Sequence, residues 1–145
     1  MVRVFIASHA HLASGIRSAV DLLTGMGGRL FICDAYVEGG TFDVTGALND
    51  FLADAAPDDE VLLLSDLFGG SVNTSLVPAL VDRRVRLVSG VNLAFVLAVL
   101  LEDGPIDDNR LAEMIEEARG SLRVVSLGED DGQYPSDDGV DGFFD

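Results

Sequence analysis

The sequence predicts an α/β domain: a three-layer sandwich in which a mainly parallel sheet is flanked by helices. Three observations lead there. Short apolar runs alternate with segments of helical period, and strands joined through helices form parallel sheets covered on both faces. Two of those runs, Val2–Ala7 and Val61–Leu64, pass straight into polar residues at the mouth of a helix. And 145 residues, 48% of them hydrophobic, suit one domain with one core.

Taken in order, Val2–Ala7 is the first strand. Leu12, Ile16, Val20 and Leu23 follow at helical spacing, and Gly25, Gly27 and Gly28 end that helix. Leu30–Cys33 is the second strand, closing on Asp34. Thr41 and Asp43 are N-cap candidates for a helix burying Val44, Leu48, Phe51, Leu52 and Ala55. Val61–Leu64 is the third strand. A helix is expected over Ser71–Val81, kinked or shortened by Pro78. Val85–Val88 is the fourth strand. The segment from Asn92 to Leu101 is apolar on most faces, as a buried helix is. Asp107 or Asp108 caps a polar helix through Arg119, and Leu122–Leu127 reads as a last strand. That apolar strand follows a polar helix and has no evident place, and an open edge of this kind invites a second copy. Residues 1–127 thus form the domain. Residues 128–145, with seven acidic and no basic residues, have the composition of a disordered tail.

The net charge is −16, and all nine basic side chains are arginine. Such a surface repels nucleic acid and anionic lipid and suits a basic protein partner. No apolar run reaches the roughly 18–20 residues that span a bilayer. The start shows no signal-peptide pattern, and Cys33 is the single cysteine. A cytoplasmic protein is the expectation.

The candidate chemistry lies in Ser8-His9 and in Ser65-Asp66-Leu67-Phe68-Gly69-Gly70-Ser71. Parallel strands put their C-terminal ends on one rim, which brings His9 and Asp66 together. A carboxylate holding one imidazole nitrogen fixes the tautomer and leaves the other nitrogen nucleophilic. Gly69, Gly70 and Ser71 would offer N–H groups and a hydroxyl to a phosphoryl group. Asp66 as a plain helix cap is the alternative reading. His11 reads as a first-turn helix residue pointing elsewhere, and Asp34 as an ordinary turn residue. His9 and His11 as metal ligands lack a third and fourth partner in sequence, so neither metal nor cofactor is expected. Walker, Rossmann and serine-elbow motifs are missing.

Together the histidine-ended first strand, the Ser65–Ser71 segment with Asn73 after it, and Ser89-Gly90-Val91-Asn92-Leu93 resemble the mannose-family IIA component of the bacterial phosphotransferase system, over about residues 2–127. The resemblance implies that His9 accepts a phosphoryl group from the phosphocarrier HPr and passes it to a IIB component during sugar uptake. It implies that Asp66 orients the histidine. The membrane IIC and IID components would be indirect partners. It also implies a homodimer whose last strand, antiparallel, crosses to the partner's sheet. Two positions depart from the family pattern: Ala10 where glycine is common, and Val72 where proline often follows Gly-Gly-Ser. The phosphoryl-donor subunit of dihydroxyacetone kinase has a similar domain, but the Gly-Gly-Ser segment favours the sugar-transport form. A receiver phosphorylated on Asp66 would need an acidic pair after the first strand and a lysine, and this chain has neither. A regulatory module whose His9 never turns over remains a third reading.

Overall fold

The computed structural model describes residues 1–37 and 43–128. Four strands form one parallel sheet: β1 (Val2–His9), β2 (Leu30–Ala35), β3 (Glu60–Ser65) and β4 (Val85–Ser89), in the order β2-β1-β3-β4. The helices are α1 (Leu12–Thr24), α2 (Val44–Ala53), α3 (Ser71–Leu76), α4 (Leu93–Leu101) and α5 (Asp108–Arg119).

Alternation along the strands sorts side chains into two cores. Val4, Ile6, Leu62 and Leu64 face one side, against α1, α4 and α5. Phe5, Ala7, Val61 and Leu63 face the other, against α2 and α3. Both faces are covered, so the central strands are apolar throughout and the expected three-layer sandwich is what forms.

The chain reverses its direction of travel across the sheet between β1 and β3. The helix after β1 lies on one face and the helix after β3 on the other, which opens a crevice at the C-terminal ends of these two strands. His9 and Asp66 stand at that crevice.

Local signals account for most boundaries. Gly25, at φ 73°, ends α1 with its N–H on the Asp21 carbonyl. Asp43 caps α2 through the Gly46 N–H; the other candidate, Thr41, lies outside the described residues. Helix α3 stops at Leu76 and passes into a 3-10 turn, Val77–Val81, with Pro78 in its first positions, so the expected long helix is two short pieces. Asn92 caps α4 and also donates to the Ala118 carbonyl, bracing α5. Asp107 caps α5.

The start of α1 uses a different device. Its N-cap residue, His11, makes no side-chain cap bond. Ser8 Oγ accepts the Ala13 N–H at 2.7 Å and Asp34 Oδ1 accepts that of Ser14 at 3.0 Å. Two strand-end residues thus do the capping. The link from β1 passes through Ala10 at φ 50°, in the left-handed region that favours glycine. Val72, in the first turn of α3, is buried in the core.

One expected element is absent from the single chain. Leu122–Leu127 makes no ladder and is not a strand; Leu122, Val124, Val125 and Leu127 are all exposed. The β propensity is real, but a strand needs a neighbour, and none of the described residues pairs with this segment. The tail beyond Gly128 lies outside the described residues.

Candidate active site

His9 is the last residue of β1, and Asp66 immediately follows β3. The register sets Ala7 opposite Ser65, so the next steps along the two chains carry the imidazole and the carboxylate toward one another. Asp66 Oδ2 accepts two bonds from His9: the backbone N–H at 2.8 Å and ring Nδ1 at 2.9 Å. One oxygen therefore holds both the peptide and the ring of the same residue. Because an ionised carboxylate only accepts, the neutral ring carries its proton on Nδ1 and leaves Nε2 unprotonated. The His9 side chain is 41% exposed and that of Asp66 only 10%. The imidazole is open to solvent and the carboxylate that holds it is enclosed.

Asp66 does not cap α3; Gly70 is the N-cap residue. The second carboxylate oxygen, Oδ1, is buried with no hydrogen-bond partner among the described residues. Burial works to raise the Asp66 pKa, but the His9 backbone N–H, ring N–H and charge outweigh it and hold the carboxyl below its ordinary 3.8. A buried, under-solvated anion beside the imidazole favours any event that makes the ring positive.

On the other side of the ring stands the Gly-Gly-Ser turn. Gly69 sits at φ 77°, where only glycine is at ease. Gly70 lies so close that a Cβ there would come within 3.3 Å of His9 Cε1. Its N–H is committed to the Leu67 carbonyl at 3.2 Å, which closes the turn. Of the three residues expected to cradle a phosphoryl group, Ser71 is the one whose side chain faces the imidazole, with Oγ 3.4 Å from Nε2. Beneath them, Ser65, Asn73 and Ser89 share buried hydrogen bonds that tie β3, α3 and β4 together.

Sequence reasoning missed Tyr36. It follows β2 at φ 62°, an unusual conformation for an aromatic residue that costs on the order of 1–3 kcal/mol. Its ring centroid lies 5.6 Å from that of His9, at an interplanar angle of 32°. Its hydroxyl is 2.8 Å from Ser71 Oγ. The available signal was position: it lies just past a third strand end on the same rim.

His11 is held apart from this group. Its Nδ1 is 3.1 Å from Asp34 Oδ2, so each histidine has its own carboxylate. Burial works to raise the Asp34 pKa, but hydrogen bonding from Ser14 and His11 and the charge of His11 outweigh it and hold the carboxyl below its ordinary range. Burial, with Asp34 and Asp43 nearby, pushes the Cys33 thiol up to about 11, so it is an inert core residue at neutral pH. Among the described residues, no group of three or more His, Cys, Asp or Glu side chains is placed to hold a metal ion.

A model of the EIIA-man family, the PTS system fructose IIA component, matches residues 3–119. The chain belongs to this family. It is therefore a IIA component of the phosphoenolpyruvate-dependent sugar phosphotransferase system, and phosphotransferase activity in the general sense comes with the family. Solved structures agree with the fold. Component EIIA of the phosphotransferase system from Streptococcus agalactiae is 25% identical, covers 86% of this chain and 97% of its own, and superposes with a TM-score of 0.72. The mannose/sorbose-specific IIA subunit from Enterococcus faecalis is 21% identical over 88% of this chain and 96% of its own, with a TM-score of 0.77. Among the described residues of this IIA component, no helix is long and apolar enough to cross a membrane.

The Asp66 geometry makes a prediction about acid stability. A carboxyl whose pKa is lower in the folded state stabilises the fold above its unfolded value, and that contribution drains as pH falls through the folded value. Asp66 therefore stabilises the wild type at neutral pH and ceases to do so progressively below about pH 4. In urea titrations at several pH values, Asp66→Asn should lose stability at pH 7 and show a shallower acid limb than wild type. Parallel acid limbs would show that the His9 bonds do not stabilise the folded state.

Proposed function

We propose that this IIA component is a phosphocarrier that takes a phosphoryl group from phospho-HPr onto Nε2 of His9 and hands it to a IIB component during sugar uptake. The observation that carries the reading is the hold of Asp66 Oδ2 on Nδ1, which leaves Nε2 as the one free nucleophilic nitrogen of an exposed ring. In the transfer, the Nε2 lone pair forms the new P–N bond. The bond between phosphorus and the donor breaks, and its electron pair stays with the donor. The Nδ1 proton remains where it is, shared with Asp66. The ring becomes positive, and Asp66 supplies the counter-charge. Passing the group on reverses these steps.

Exposure supports a protein donor and acceptor. Leu12, Leu67 and Phe68, beside the His9 rim, are 50%, 59% and 84% exposed. An open site with an apolar border suits docking of another protein face. The acidic surface suits a basic partner. On this reading the protein works in the cytoplasm, and the membrane IIC and IID components are reached only through IIB.

Labelling with phosphoenolpyruvate, enzyme I and HPr tests the site. His9→Ala should abolish the label while circular dichroism stays unchanged, because a rim side chain contributes little packing. His11→Ala should keep it. Asp66→Asn should slow transfer by at least roughly a hundredfold. A labelled His9→Ala protein, or Asp66→Asn at the normal rate, would sink this assignment.

We also propose a homodimer, with the exposed Leu122–Leu127 segment laid against the partner as an antiparallel strand. Leu122, Val124 and Leu127 are each at least 89% exposed in the single chain, an apolar run that water does not favour. Light scattering at micromolar concentration should give a dimer, and a chain ending at Gly120 should be monomeric and less stable. A monodisperse full-length monomer would defeat the proposal.

A further inference from the structure

We propose that Tyr36 is a positioning residue for the phosphoryl transfer, orienting the Ser71 hydroxyl toward Nε2 and bracing the face of the imidazole. The inference rests on the reading of His9 as the phosphoryl carrier and adds to it a residue from a third strand end.

The hydrogen-bond directions follow from the carboxylate. Asp66 accepts the Nδ1–H hydrogen bond, so Nε2 of the neutral ring carries no proton and can only accept. Ser71 Oγ, 3.4 Å away, must then be the donor to it. Its own oxygen is left to accept, and Tyr36, at 2.8 Å, must donate. The chain Tyr36–Ser71–His9–Asp66 has one consistent sense. When Nε2 takes a phosphoryl group, its lone pair is consumed and the Ser71 hydrogen loses that acceptor. Phosphoryl oxygens then stand at the same end of the hydroxyl. Because Tyr36 still donates to Ser71 Oγ, the serine hydrogen stays turned toward the transferred group.

The aromatic ring has a second part in this. At 5.6 Å and tilted 32°, it lies within the range in which an aromatic face attracts a cation. The phosphorylated imidazole is such a cation. The backbone argues for use as well. Tyr36 is held at φ 62° with its side chain half exposed, so it neither relaxes the chain nor fills a core. A glycine would sit there with less strain. A strained aromatic kept against a nucleophile is a pattern of functional sites.

The test uses the full chain with Tyr134→Phe as background. The protein has two tyrosines and no tryptophan, so Tyr36 is then the only tyrosine emitter. Three proteins are compared: the background, Tyr36→Phe and Tyr36→Gly. The readouts are single-turnover transfer from phospho-HPr and the ¹⁵N resonance of His9 Nε2 before phosphorylation. In the background, phosphorylation should change the tyrosine emission. Tyr36→Phe should slow transfer about five- to tenfold and shift the Nε2 resonance, with an unchanged melting curve. Tyr36→Gly should slow it further although it relieves the backbone, which separates a positioning role from a structural one. If the background labels on His9 while both variants transfer at its rate with Nε2 unmoved, this inference alone is overturned. If the background does not label at all, the carrier reading falls and takes this inference with it.

Discussion

The structure of the site depends on one oxygen. Asp66 Oδ2 binds the backbone N–H and the ring N–H of His9 together, and so fixes a side chain through two points of the same residue. A single bond to the ring would set the tautomer and leave the imidazole free to swing. A single bond to the peptide would hold the strand end and say nothing about the proton. Made together, they specify position, rotation and protonation of the ring. The constraint works because β1 and β3 are paired neighbours whose register brings Ala7 opposite Ser65. A slip of either strand by one residue would turn that strand's side chains to the other face and part the pair.

Around that bond the parallel sheet contributes three strand ends, each with a distinct task. The end of β1 gives the imidazole of His9. The end of β3 gives the carboxylate and, after the turn at Gly69 and Gly70, the hydroxyl of Ser71. The end of β2 gives Tyr36, and Asp34 just before it holds His11 and the start of α1. The two histidines, close in sequence, are thereby kept in separate environments. One is braced on a buried anion, and the other rests beside a helix N-terminus with 75% of its side chain exposed.

Much of this is legible in the sequence because it is local or periodic. The four sheet strands show as apolar runs, those of the central β1 and β3 buried on both faces, and the rim follows once they are known to be parallel. The meeting of His9 with Asp66 is legible for the same reason, since both end a strand. Other features escape because they depend on partners distant in the chain. Tyr36 carries no motif; its importance comes from a backbone turn that aims it at a ring 27 positions earlier. Asp34 reads as a turn residue, and only the fold shows it bonding His11 and Ser14 at the start of the preceding helix, α1. Leu122–Leu127 has the composition of a strand, but composition does not supply a neighbour. Ala10 looks like a minor departure from glycine until its φ of 50° shows why glycine is common there.

The central claim is that Asp66 reserves Nδ1 and leaves Nε2 to react. The most direct measurement is the ¹⁵N spectrum of His9 in the phosphorylated protein, with phosphorus coupling to identify the bonded nitrogen. The account predicts a single phosphoryl group on Nε2, with Nδ1 still protonated and its proton shifted as in a strong hydrogen bond to a carboxylate. A phosphoryl group on Nδ1 would contradict it, because that nitrogen could then no longer donate to Asp66.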